Sequence, residues 1–211
     1  MKRRVAGVEK IVGMRYNGIS PLLRRFDLPR SLLMTSSPIR RLTLSGLLLA
    51  LAIVLPFLTG SIPQLGQTLL PMHLPVLLCG FLVGWKEGGI VGGVAPLFRS
   101  FLIGMPPLFP TASAMAFELA AYGIAAGLLT RLFPRKWPYF FLSLILTMIL
   151  GRLVWGAVSF VFYTWMGNAF PFSAFIAGAV LNALPGILMQ WVLIPPILAL
   201  WYRRGEREAR T

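Results

Sequence analysis

Four ionisable side chains, His73, Arg99, Glu118 and Arg152, interrupt stretches that are otherwise apolar, and two amides, Asn182 and Gln190, do so further along. Such residues are costly inside hydrocarbon; they line a polar path or bind a ligand, or they pair with one another. The set holds one carboxylate and one imidazole, too few for an HExxH metal site or a two-carboxylate hydrolytic site. Its only acid–base combination is Glu118 with His73, which requires the two within hydrogen-bond reach. Ser113, Ser143, Ser159 and Ser173 have no base beside them in sequence, and no GxxxxGK[ST] phosphate loop occurs. Any ATP hydrolysis must therefore belong to a partner. The chemistry left to these residues is binding and translocation.

The stretch that positions two of them is Arg99 to Gly123, RSFLIGMPPLFPTASAMAFELAAYG. Pro106, Pro107 and Pro110 remove backbone donors and fix φ, so Gly104–Pro110 is expected as a non-helical reversal between two helices. That hairpin puts Arg99 and Glu118 at similar depth, where they either neutralise each other or share Glu118 with a ligand. Arg152 has no second acidic residue within the apolar runs. Its counter-charge is expected from carbonyls, a water-filled cavity or an anionic ligand. His73 has the plainer alternative of an interfacial cap, and Asn182 that of a bond to a neighbouring helix.

Hydrophobic residues make up 57% of the 211 positions and charged ones 12%, against roughly 25% charged in soluble domains. One domain of this size cannot hide so many apolar runs from water, so the chain is read as an integral membrane protein. The net charge of +14 does not indicate nucleic acid, because the basic residues lie between apolar segments rather than on a polar domain. The single cysteine, Cys79, excludes an intrachain disulfide and reads as a small packing residue.

Six spans are expected, at about 42–58, 73–85, 88–104, 111–132, 138–163 and 172–201, the last interrupted by Pro185 and by Pro195-Pro196. Residues 1–41 form a basic cytoplasmic extension that either lies on anionic lipid or, over 1–33, precedes a true start at Met34. Residues 42–202 form the membrane domain and 203–211 a basic cytoplasmic tail. Every Lys and Arg except Arg99 and Arg152 falls on one side of this arrangement, and the three loops of the other side carry none. The positive-inside bias then places both termini in the cytoplasm. His73, Arg99, Glu118, Arg152 and Asn182 fall in the outer half or near the midplane, as for a cavity open to the exterior. In the first span Gly46 and Ala50 form a small-xxx-small stripe suited to close helix approach. The linker after it, Thr59–Pro71, is polar, uncharged and long for a hairpin, which is the pattern of a binding loop or lid.

The segments LPMHLPVLLCGFLVGWKEG, PLFRSFLIGMPPLFPTASAMAFELAAYG and FIAGAVLNALPGILMQ, in that order on six short helices, resemble the substrate-binding S components of energy-coupling factor (ECF) transporters. The resemblance covers about residues 42–202 and is strongest toward members for pantothenate; members for cobalamin or a queuosine precursor are the alternatives. It implies an all-α, six-helix bundle in the cell membrane that binds a vitamin from outside. It also implies docking on a scaffold (T) subunit coupled to two cytoplasmic ATPases, so that this chain itself binds no cofactor. Carried onto this chain, the cap is Thr59–Pro71 with Gln64 and Gln67, the pocket holds Glu118, Arg152 and Asn182 with Arg99 and His73, and docking uses Gly46 and Ala50. The first position of that stripe is Gly where Ala is common in the family. Arg152 or Arg99 would take a pantothenate carboxylate, with Glu118 and Asn182 reading hydroxyl or amide donors. Competing readings are an intramembrane enzyme built on Glu118 and His73, and a purely structural membrane subunit.

Overall fold

The computed structural model describes residues 37–58, 70–134 and 137–208. All regular structure among them is helical: α1 (Pro38–Leu58), α2 (His73–Leu82), α3 (Trp85–Ile103), α4 (Ser113–Leu132), α5 (Trp137–Trp165), α6 (Phe172–Ile176) and α7 (Leu184–Glu208). Four stretches are long and apolar enough to cross a membrane: Pro38–Phe57, Leu108–Leu132, Pro138–Trp165 and Phe172–Arg203. The expected six-helix arrangement is present, with the last span in two pieces. The cap residues Gln64 and Gln67 and the extension 1–33 lie outside the described residues.

At 10 residues, α2 is about 15 Å long, half the thickness of a bilayer core. It can be that short because it meets protein rather than lipid: eight of its residues are buried, and it packs against α1, α3 and α4. Glycines make this packing close. A Cβ at Gly123 would sit 2.1 Å from the Gly88 carbonyl oxygen, and one at Gly92 would sit 2.2 Å from that of Leu119. A Cβ at Gly80 would meet Gly123 at 2.5 Å, so α2, α3 and α4 touch through bare backbone.

Between α3 and α4, Gly104 closes α3 in the left-handed conformation at φ 75°, and its N–H bonds the Ser100 carbonyl. The Ser100 hydroxyl donates to the Pro106 carbonyl at 2.7 Å, pinning the turn. The chain regains helical geometry sooner than the prolines imply. A wide π-type turn spans Leu108–Ala112, with Phe109 extended inside it. A second π-type turn, Ala177–Leu181, carries α6 to the break before α7.

The last span breaks at 182–183, just before Pro185 as expected, but not at Pro195-Pro196. Pro185 sits in the first turn of α7, where its missing N–H has no intrahelical role to lose. Pro195 and Pro196 lie inside α7 without ending it, a situation tolerated in membrane helices where neighbours re-satisfy the freed carbonyls.

Helix ends meet consistently. Arg41 near the start of α1 pairs with Glu87 in the first turn of α3 at 2.6 Å. At that same end the Tyr202 hydroxyl of α7 donates to the Phe81 carbonyl of α2, and its ring stacks on Phe140 near the start of α5. At the opposite end Phe109 packs on Phe162 and Trp165.

The glycine contacts set a stability contrast. Gly123→Val should cost about 1–3 kcal/mol through overpacking, whereas Gly46→Val, where a Cβ meets nothing within 4 Å, should cost far less. Thermal unfolding of the two purified variants in one detergent measures the difference; equal losses would contradict the backbone contact.

Candidate functional site

Glu118 is placed by register. With Gly88 against Gly123 and Gly92 against Leu119, antiparallel α3 and α4 put Arg99 level with Ala112. Arg99 and Glu118 are then about 9 Å apart along the bundle, at 1.5 Å per residue. They are not at similar depth, and they do not pair. Glu118 is instead buried toward α2 and α5, where its Oε1 lies 2.9 Å from Arg152 Nη1 and 3.5 Å from His73 Nε2. Arg152 therefore has its counter-charge after all, contrary to the expectation that the chain lacked one. The apparent deficit came from assigning Glu118 to its sequence neighbour across the hairpin.

Each partner is held by local structure. His73 opens α2, its backbone N–H bonded to the Leu70 carbonyl at 3.0 Å. Leu70 itself stands at φ 50°, a left-handed conformation that costs a non-glycine residue about 1–2 kcal/mol and is held here by a buried side chain. Arg152 follows Gly151, and that glycine is needed: a Cβ there would lie 2.5 Å from the ring of Tyr122. Tyr122 fills the space against α5 and meets the His73 imidazole edge-on, with ring centroids 5.3 Å apart. Tyr122 and Gly151 are thus part of the site and were missed in sequence. The signal was available, since Tyr122 lies four residues after Glu118 on one helix face.

The cluster is buried yet not saturated. His73 and Glu118 side chains are each 2% exposed and Arg152 12%, so Arg152 is the member that can be reached. His73 Nδ1 and Nε2, Glu118 Oε1, and Arg152 Nε and Nη2 have no aligned hydrogen-bond partner among the described residues. The 2.9 Å ion pair engages Glu118 Oε1 and holds the group together, while His73 Nδ1 and Arg152 Nε and Nη2 are buried without an aligned partner. Thr147 of α5 and Gln190 of α7 are also buried, each with an unpartnered polar atom among the described residues.

The remaining candidates lie elsewhere. Arg99 donates to Met72 Sδ at 3.9 Å and stands 5.8 Å over the Phe57 ring. Asn182 is exposed at the break between α6 and α7 and makes no side-chain hydrogen bond to the cluster. Gly46 and Ala50 are both exposed on α1. Among the described residues no group of three His, Cys, Asp or Glu could hold a metal ion.

The family model for the ECF transporter substrate-specific component matches residues 40–198. The chain belongs to that family. No curated protein and no solved structure matches it significantly. Membership makes the protein a substrate-specific membrane subunit of an ECF transporter, which implies a small-molecule substrate and association with T and ATPase subunits. At 3.5 Å His73 and Glu118 are close neighbours without an aligned hydrogen bond, so the contact falls short of the reach an acid–base pair requires, and the family is one of transporter components and not of enzymes.

The pairing can be measured. Glu118→Gln and Arg152→Gln should show a coupling of about 0.5–3 kcal/mol in a double-mutant stability cycle. Glu118→Gln and Arg99→Gln should add within about 0.5 kcal/mol. The reverse pattern would restore the hairpin pair.

Proposed function

We propose that this ECF subunit takes up pantothenate, binding it from outside at the His73–Glu118–Arg152 cluster. The observation that carries the reading is the buried ion cluster with free donors and acceptors. Pantothenate carries one carboxylate, an amide and hydroxyls, which suit a site of one arginine, one imidazole and one carboxylate acceptor. Asn182 and the linker residues Gln64 and Gln67 complete the pocket as the vitamin is enclosed. Cobalamin or a queuosine precursor are the alternative cargoes within the same role.

Both termini lie in the cytoplasm in this reading. The helix end that carries Arg40, Arg41, Lys86, Arg131 and Arg203 faces inward, as the positive-inside bias requires. The outward face of α1, with Gly46 and Ala50 exposed among Leu47, Leu51 and Val54, docks on the T subunit, which two ATPases drive. Small residues there allow close backbone approach between helices.

Two results test the reading. Mass spectrometry of the purified protein should find a co-purified vitamin, and binding across a vitamin panel should rank pantothenate first; an empty protein that binds none would overturn it. Gly46→Leu or Ala50→Leu should abolish uptake in cells expressing the whole transporter while leaving vitamin binding intact. Normal uptake would remove the docking assignment.

A further inference from the structure

No acidic side chain among the described residues balances the charge of Arg99. The six acidic residues are Glu9, Asp27, Glu87, Glu118, Glu206 and Glu208. Glu87 pairs with Arg41 and Glu118 with Arg152. Glu206 and Glu208 lie at the far end of α7, at the opposite end of the bundle from Arg99. Glu9 and Asp27 precede Pro38, outside the described residues. The linker 59–69, which leaves α1 just after Phe57 and returns just before Met72, contains no acidic residue. Among the described residues Arg99 makes no ion pair, and its Nε is buried without an acceptor.

What does surround the guanidinium is neutral and soft: the face of Phe57 at 5.8 Å and the sulfur of Met72 at 3.9 Å. Such contacts hold a cation in place without neutralising it. Met72 is also the neighbour of His73, so Arg99 and the ion cluster flank adjacent residues at the start of α2. A molecule lying across that start meets an uncompensated arginine at one end. At the other it meets a charge-neutral arginine–carboxylate pair with free donors and acceptors.

We propose that Arg99, not Arg152, holds the anionic group of the substrate, and that the substrate is a small molecule with a single negatively charged oxygen group. The Arg152–Glu118–His73 cluster reads its neutral hydroxyl or amide end. Arg152 is already matched in charge by Glu118, so an anion placed there would face that carboxylate; at Arg99 it faces none. The proposal rests on the reading of this chain as a small-molecule-binding subunit, and it commits that subunit to anionic cargo.

The test measures binding of pantothenate and of its neutral alcohol analogue pantothenol to the full chain in a non-ionic detergent, by calorimetry. Wild-type protein should prefer pantothenate by about tenfold or more, as expected for a charge-assisted hydrogen bond. Arg99→Gln should bring the two ligands to within about threefold of each other. Arg99→Lys, which keeps the charge and loses the fork, should retain part of the preference and serves as the reading where Arg99→Gln does not fold. A preference unchanged in these variants overturns the proposal.

A lipid phosphate is the other source of the same chemistry. If Arg99 served lipid, phosphatidylglycerol vesicles would raise the thermal midpoint of wild type over that of Arg99→Gln, with ligand preference unaltered by the substitution; that outcome also overturns it. If wild type binds neither compound, the pantothenate reading falls alone, and the co-purified molecule decides. An anion whose retention drops tenfold or more in Arg99→Gln supports the proposal; a neutral or cationic molecule overturns it. A protein that carries no small molecule and binds no anionic vitamin overturns both readings.

Discussion

The bundle depends on bare backbone contact between α3 and α4. Gly88 against Gly123 and Gly92 against Leu119 leave no room for a side chain, so these two helices have one register available. That register sends Glu118 past the Arg99 level and presents it to α2 and α5. Gly80 and Gly88 bring α2 against the same contact, which lets a helix of 10 residues stand inside the protein with His73 at its first turn. The polar cluster is therefore a consequence of where glycines permit close packing.

Within the cluster, attraction and saturation are separate matters. Arg152 and Glu118 cancel in charge at 2.9 Å, which removes the largest cost of placing either inside the bundle. Yet Arg152 Nε and Nη2 and His73 Nδ1 remain without a directed partner among the described residues. A core built for stability alone would close such groups, because each unpaired buried donor or acceptor costs about 1–3 kcal/mol. In the proposed function these groups are held open so that their hydrogen bonds form with the substrate. The Tyr122 ring, seated on Gly151, fixes the imidazole edge without taking its nitrogens.

Much of the helical layout was legible in the chain. Apolar length and the placement of basic residues outlined the spans, and the observed helices start and stop within a few residues of those limits, except that α7 runs on to Glu208, through most of the segment expected as a tail. The turn at Gly104 followed from glycine and proline chemistry. The last span was read less well. Pro195 and Pro196 look like a break, but α7 runs through them, and the one interruption falls at Asn182 and Ala183, just before Pro185. Proline fixes its own φ and removes one donor; whether a helix ends there depends on what packs around it.

Residue types and their order along single helices determined that this is a helical membrane protein with a few buried polar groups near one end. They also determined that the chain holds a single carboxylate within its spans. They could not determine which cation that carboxylate serves. Arg99 is its neighbour along the chain, and Arg152 is its neighbour in space. Hydropathy and spacing describe each helix by itself, while a pair between helices depends on their relative rotation and axial shift. Here the glycine contacts set both, and only the packed bundle shows that they give Glu118 to Arg152 and leave Arg99 without an ion pair among the described residues.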